Sequence, residues 1–173
     1  MIQLTYEPAF DPLHTMYRAL RLRDGAGTNL RVPRDLFRIL DFYLLFPEGL
    51  KDVRFRQDHR RLKTRAAATA RAPSYGPRPA DAVLFGRMRP FQEAALDTLA
   101  LHRFFVPEAL SDGWVESGSE PLPPELAGRI RRANTDEAAL MEALRALIAG
   151  YPLEGSGGLK DRTGLLEHRY DAV

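Results

Sequence analysis

The chain predicts a mainly helical α+β domain carrying one short β-ribbon, and three observations point there. An apolar stripe at helical spacing follows Asp11-Pro12, and residues 36–46 are almost wholly apolar. Two helix-period stretches between 79 and 105 then lead into a Gly-punctuated, Trp-containing segment that suits a ribbon. With 173 residues, 45% hydrophobic and 28% charged, the chain has the size and balance of one globular domain, and a single compact domain over 1–173 is expected.

The first helix starts at Asp11, a good N-cap, with Pro12 at the first helical position. Leu13, Met16, Tyr17 and Leu20 recur at i, i+3, i+4 and i+7, and the pattern ends near Asp24-Gly25. Phe10 stands where a hydrophobic staple would pack back on the first turns. After a loop at 25–29, Pro33 opens a second helix and Pro47 closes it. Its centre, LFRILDFYLLF over 36–46, has nine apolar side chains of eleven, interrupted only by Arg38 and Asp41. A helix apolar all round must be covered from several sides. Each large side chain contributes roughly 1.5–3 kcal/mol when fully buried, an upper bound. Such a helix serves a domain core or an obligate interface equally well, and Phe42, Tyr43 and Phe46 are candidate docking residues.

Residues 55–71 suit a basic helix, and the Pro/Gly-rich run over 72–79 reads as a mobile connector or internal boundary. A short helix is expected from Pro79 to about Arg87, and a longer one from Pro90 to Phe105. Trp114-Val115-Glu116 and the Ser117-Gly118-Ser119 turn then suggest a hairpin arm. Two helices followed by a ribbon is the order of a winged helix-turn-helix, with Gly113, Trp114 and Gly118 in the wing. Further on, Asn134 to Glu137 reads as an N-cap with its capping-box glutamate, ahead of a stripe of Ala139, Leu140, Ala143, Leu144 and Leu147. Gly150 and Pro152 close that helix. Gly155-Ser156-Gly157-Gly158 opens a flexible C-terminal segment over 154–173, with Leu165, Leu166 and Tyr170 as possible anchors.

Charge is unevenly spread although the net is only +2. Lys51, Arg54, Arg56, Arg60, Arg61, Lys63, Arg65 and Arg71 face only Asp52 and Asp58 within 51–71. This is an electrostatic footprint suited to nucleic acid or to an acidic protein face, and equally to a solvated helix face. The first seven are the candidate nucleic-acid contacts. Only Phe55 interleaves them, which argues against a stacking platform for single strands. Arginine is abundant throughout (twenty-two against three lysines), so its abundance alone says little.

Chemistry is thinly represented. Without cysteine there are no disulfides, thiolate nucleophiles or cysteine metal sites, and a cytoplasmic protein is expected. The longest uncharged apolar run, Phe42 to Phe46, is far short of the roughly 20 residues of a membrane span. The N-terminal MIQLTYEP has no basic n-region of a secretion signal. His14, His59, His102 and His168 form no paired metal-ligand spacing. Glu167, His168, Arg169 and Asp171 could hold an acid/base pair, but exposed salt bridges or partner contacts explain them as well. The glycine run at 155–158 lacks the lysine and hydroxyl residue of a P-loop, and Ser156 lacks a nucleophile elbow. We therefore expect no catalytic residues, no metal and no cofactor.

Three blocks carry a resemblance to a known family: LTYEPAFDPLHTMYRALRL near the start, RILDFYLLFP in the centre, and GLKDRTGLLEHRYD at the end. Together they resemble the middle-component proteins of bacterial ABC three-component conflict systems, most nearly type five. The resemblance runs nearly the whole chain, with Met88-Arg89-Pro90-Phe91-Gln92 and Leu122-Pro123 in compatible places. None of these blocks is a catalytic signature.

The resemblance implies a non-enzymatic adaptor that links an SMC-like ABC ATPase to an effector, often a nuclease, in defence against phage or plasmids. ATP would belong to the partner. Phe42, Tyr43, Phe46, Leu165, Leu166, His168, Arg169 and Tyr170 are then the candidate partner contacts, with weak DNA contact inside the assembly. A homodimer is compatible with the same features. The alternative is a winged-helix DNA-binding regulator reading with the 90–105 helix. That helix offers Gln92, Thr98, His102 and Arg103 but also Glu93 and Asp97, which are unfavourable beside phosphate.

Overall fold

The structure, a computed structural model, describes residues 7–27, 29–70 and 79–166. Helix α1 (Pro12–Gly25) begins as expected: the Asp11 carboxylate accepts from the His14 N–H at 2.7 Å, and Pro12 occupies the first turn. Its buried face differs from the apolar stripe, however. Leu13 is 73% exposed, while Thr15, Arg18, Ala19 and Leu22 point inward. Phe10, from the 3₁₀ turn Pro8–Phe10, packs its ring 5.6 Å from that of Phe91.

Strand β1 (Arg31–Pro33) leads directly into α2 (Arg34–Leu45), the apolar helix, which ends ahead of Pro47. It is the centre of the core: Ile39, Leu40 and Phe42 are fully buried. The Phe42 ring meets Tyr43, Phe46 and Phe85 at 5.2–5.8 Å. Two 3₁₀ turns, Pro47–Asp52 and Gln57–His59, then run into α3 (Arg60–Ala67), a shorter basic helix than the sequence suggests.

Helix α4 (Asp81–Leu101) corrects the expected break between Arg87 and Pro90, because it runs on through the proline. Proline removes one N–H bond and crowds the carbonyl four residues earlier. Here that residue is Gly86, which is exposed like Pro90, so water can serve the freed carbonyl. The inward side chains Phe85, Met88, Leu96 and Leu99 keep both halves on one core.

The expected hairpin wing is also corrected. Helix α5 (Pro107–Ser111) is followed by β2 (Trp114–Glu116), whose partner is β1, antiparallel, with Arg31, Val32 and Pro33 opposite Glu116, Val115 and Trp114. Val32 and Val115 form the buried face of this ribbon. Trp114 therefore lies in the ribbon, with Gly113 in the turn just before it, and neither is in a hairpin. Gly118 closes against the end of α4 instead: its N–H donates to Phe104 O at 2.8 Å, and a Cβ there would lie 2.1 Å from Arg103 O.

Helices α6 (Pro124–Asp136), α7 (Ala138–Gly150) and α8 (Leu159–Thr163) complete the fold. Asn134 is not an N-cap. It ends α6 with its side chain buried, accepting from Arg21 Nε at 3.0 Å and donating to Arg21 O and Asp24. Glu137 pairs with Arg21 at 2.8 Å and makes no side-chain capping bond for α7. The Asn134–Glu137 spacing matches a capping box only because two long-range contacts to α1 select the same residue types.

A second polar group sits deeper. Arg18, 1% exposed, binds Asp41 through Nε at 2.7 Å and Nη2 at 3.1 Å, and Asp41 also accepts from Gln92 Nε2 at 2.8 Å. Gln92 Oε1 accepts from Arg38 Nε at 3.0 Å. The two interruptions of the apolar helix thus join α2 to α1 and α4. Burial pushes the Arg38 pKa down, against the opposing pull of Asp35, and its guanidinium lies 4.5 Å from the Phe85 ring centre.

Candidate functional site

The basic segment is displayed by alternation. Val53 and Phe55 are buried, so Arg54 and Arg56 between and beyond them face outward in extended backbone. Ala66 and Ala67 are buried where α3 meets α7, which leaves Arg60, Arg61 and Arg65 exposed. Arg54, Arg60 and Lys63 border an open cleft of about 450 Å³ with Asp52 at its edge. The burial of Phe55 removes the one aromatic that could have stacked a base.

Much of this positive charge is used within the chain. Arg54 pairs with Asp161 of α8 at 2.9 Å, and Arg65 with Glu142 of α7 at 3.4 Å. Lys63 Nζ donates to Val53 O at 2.9 Å. Arg56 lies 4.9 Å from the Tyr151 ring centre, and its N–H donates to the Tyr151 hydroxyl at 2.9 Å. Among the described residues, Lys51, Arg60 and Arg61 make no ion pair, and they are the cations left for an outside partner.

Tyr151 is the residue the sequence reading missed. Its ring is flanked by Arg56 and, at 5.2 Å, by Arg162, and its hydroxyl sits 3.0 Å from His59 Nδ1. Arg162 also donates to the carbonyls of Gly157 and Arg54. The glycine turn and α8 are thereby fastened across the basic segment. The bond from Arg54, with help from the Gly157 N–H, holds the Asp161 carboxyl below the usual carboxylate range. Lys160 reaches Glu154 and Asp35; the Glu154 bond is the main cause of its raised pKa.

The candidate docking residues separate into three groups. Phe42 and Tyr43 are buried in the core of this chain. Burial, reinforced by Asp81 and Asp52, pushes the Tyr43 phenol far up. Phe46 and Leu166 are partly buried against the core, and Leu165 is buried at 5%. His168, Arg169 and Tyr170, with the acid/base group around them, lie outside the described residues. No cluster of three metal-ligating side chains is present among the described residues. No helix among them is long and apolar enough to cross a membrane.

The pattern over the described residues is one of surfaces and internal fastenings, and a family comparison matches nearly the whole chain. The model of ABC-three component (ABC-3C) system Middle Component 5 covers residues 4–171. The chain belongs to that family. As a component of a three-component system it has partner subunits, and its exposed charge and apolar patches are read in that light. No match is found among curated proteins or among solved structures.

Proposed function

We propose that this middle component is a non-enzymatic adaptor, joining an SMC-like ABC ATPase to an effector subunit in a cytoplasmic bacterial defence complex against phage or plasmids. The family membership over 4–171 carries this reading. The described polar groups fit it: the buried ones join helices to one another, and the open clefts are lined by a mixture of basic, apolar, hydroxyl and single acidic side chains. ATP and the effector chemistry belong to the partners.

Co-expression with the two neighbouring gene products, read by size-exclusion chromatography with light scattering, tests the proposal. A fixed-stoichiometry complex with a large ATPase is expected. Elution as a lone monomer or homodimer in their presence overturns it.

A second reading, DNA contact, is favoured by Lys51, Arg60 and Arg61, which have no ion-pair partners among the described residues. Contact through the basic segment would be weak alone and stronger in the assembly. If about five phosphates are engaged, affinity falls several-hundred-fold between 50 and 200 mM salt. A flat salt response removes this reading and leaves the adaptor standing.

A further inference from the structure

The basic segment keeps its charge after the elements packed on it are counted. Residues 47–67 carry seven basic side chains against Glu48, Asp52 and Asp58. Helix α7 adds Glu142 and Arg145, and residues 151–164 add Glu154 and Asp161 with Lys160 and Arg162. These neighbours cancel, so an excess of four positive charges remains, or three with Asp81 beside Gly49 included. A face of that charge draws a polyanion.

An acidic protein and a nucleic acid differ in what else they need. A protein interface is anchored by apolar and aromatic side chains that it covers. The large apolar residues exposed among the described ones are Leu13, Val83, Leu101 and Trp114, and all lie outside 47–67. The segment therefore offers charge and hydrogen-bond donors, the composition of a nucleic-acid face. A single strand gains affinity by stacking its bases on aromatic rings. Here Phe55 is buried, and Tyr151 is 4% exposed with Arg56 and Arg162 over its ring. A duplex needs no stacking and concentrates phosphate at about one charge per 1.7 Å of axis.

The charge converges on the cleft of about 450 Å³ bordered by Arg54, Arg60 and Lys63, where Asp52 is the one lining acid. Arg60 and Arg61 are exposed and make no ion pair among the described residues. Arg54 is held from α8: its Nη2 donates to the Asp161 carbonyl at 2.5 Å and pairs with the Asp161 carboxylate at 2.9 Å. Both partners of that pair are largely exposed, so exchanging the carboxylate for a phosphate costs little.

We propose that this cleft, together with Arg61, grips the phosphate backbone of duplex DNA without reading its sequence, and that Asp161 competes with phosphate for Arg54. This rests on the DNA-contact reading and adds to it the form of the DNA, the gripping residues and an internal competitor.

The test is fluorescence anisotropy of the full chain with a labelled DNA duplex of arbitrary sequence, and with one of its strands, from about 50 to 200 mM salt. The duplex should bind several-fold more tightly than the strand, and a duplex of shuffled sequence equally well. Arg60→Gln with Arg61→Gln should reduce the slope of log affinity against log salt by about 1.8, as loss of two phosphate contacts does. Asp161→Asn should steepen that slope by about 0.9 and tighten binding at low salt, and should do neither in an Arg54→Gln background. Arg132→Gln removes an exposed cation of α6 and should leave the slope unchanged. An unaltered slope in the Arg60/Arg61 variant, an equal loss in Arg132→Gln, or a strand that binds as tightly as the duplex overturns the site and leaves the DNA-contact reading intact. Wild-type binding by Asp161→Asn, or tightening that persists without Arg54, overturns the competition. Absence of salt-sensitive binding by the wild-type chain fails both the site and the DNA-contact reading.

Discussion

Among the described residues, two arginine–aspartate pairs join elements distant in sequence, and they do different things. Arg18–Asp41 lies between α1 and α2, both side chains 2% exposed, with Gln92, Thr15 and the Pro8 carbonyl completing the hydrogen bonding. Arg54–Asp161 lies on the surface, 64% and 48% exposed, between the basic segment and α8. Water solvates each surface ion almost as well as its partner does, so that pair contributes little to stability. Neither ion of the core pair has water to fall back on, so each depends on the other to compensate its charge. The core pair therefore specifies how three helices meet, while the surface pair adjusts the charge that the basic segment presents.

The comparison breaks most visibly at Asp41. Asp41→Ala strands the Arg18 charge and one Gln92 donor, and should lower the unfolding free energy by about 3–5 kcal/mol in denaturant titrations. Replacing both ions together, as Arg18→Met with Asp41→Leu, should recover most of that loss, because no uncompensated charge remains. A double variant as unstable as the single one would show that the pair contributes more than mutual compensation. Asn134→Ala tests the other buried polar junction. It leaves Arg21 Nε unpaired and should lose about 1–3 kcal/mol, measured the same way.

Smaller effects belong to the basic segment and the residues that fasten it. Tyr151→Phe removes the hydroxyl that accepts from the Arg56 N–H, and should lose about 0.5–1.5 kcal/mol. Faster amide exchange at Arg56 would locate that loss. Asp161→Asn should leave the unfolding midpoint nearly unmoved but change the acid behaviour of the α8 junction. The folded-state pKa of Asp161 is depressed, so its stabilising contribution is complete above the unfolded value of about 3.9 and is lost as pH falls through the lower folded value. The Gly157 amide shift should report a midpoint below that of a free aspartate, and a midpoint at or above it would show that the Arg54 bond is not kept in solution. The same substitution frees Arg54, and should strengthen any salt-sensitive DNA binding if the basic segment makes that contact.

Features carried by neighbouring residues were legible in the sequence. Asp11 and Pro12 start α1, the nine apolar residues of 36–46 make a core helix, and Pro47 stops it, because capping, helical burial and proline geometry act within a few residues. The basic segment was legible as composition. Its internal neutralisation was not, since Asp161 and Glu142 approach it from α8 and α7. Tyr151 carried no signal beyond being one aromatic after a helix.

By itself the sequence determined a helical domain with an apolar central helix, an uneven charge distribution and the blocks that place it among middle components. The tertiary structure decided what those parts were for. It paired β1 with β2 across more than eighty residues, carried α4 through Pro90, and turned Asn134 from an apparent cap into a bridge to α1. It also buried Phe42 and Tyr43 as core while leaving Arg60 and Arg61 facing outward. The physical reason is common to all of these. Burial and long-range hydrogen bonding depend on which distant segment arrives opposite a residue, and local spacing does not encode that arrival.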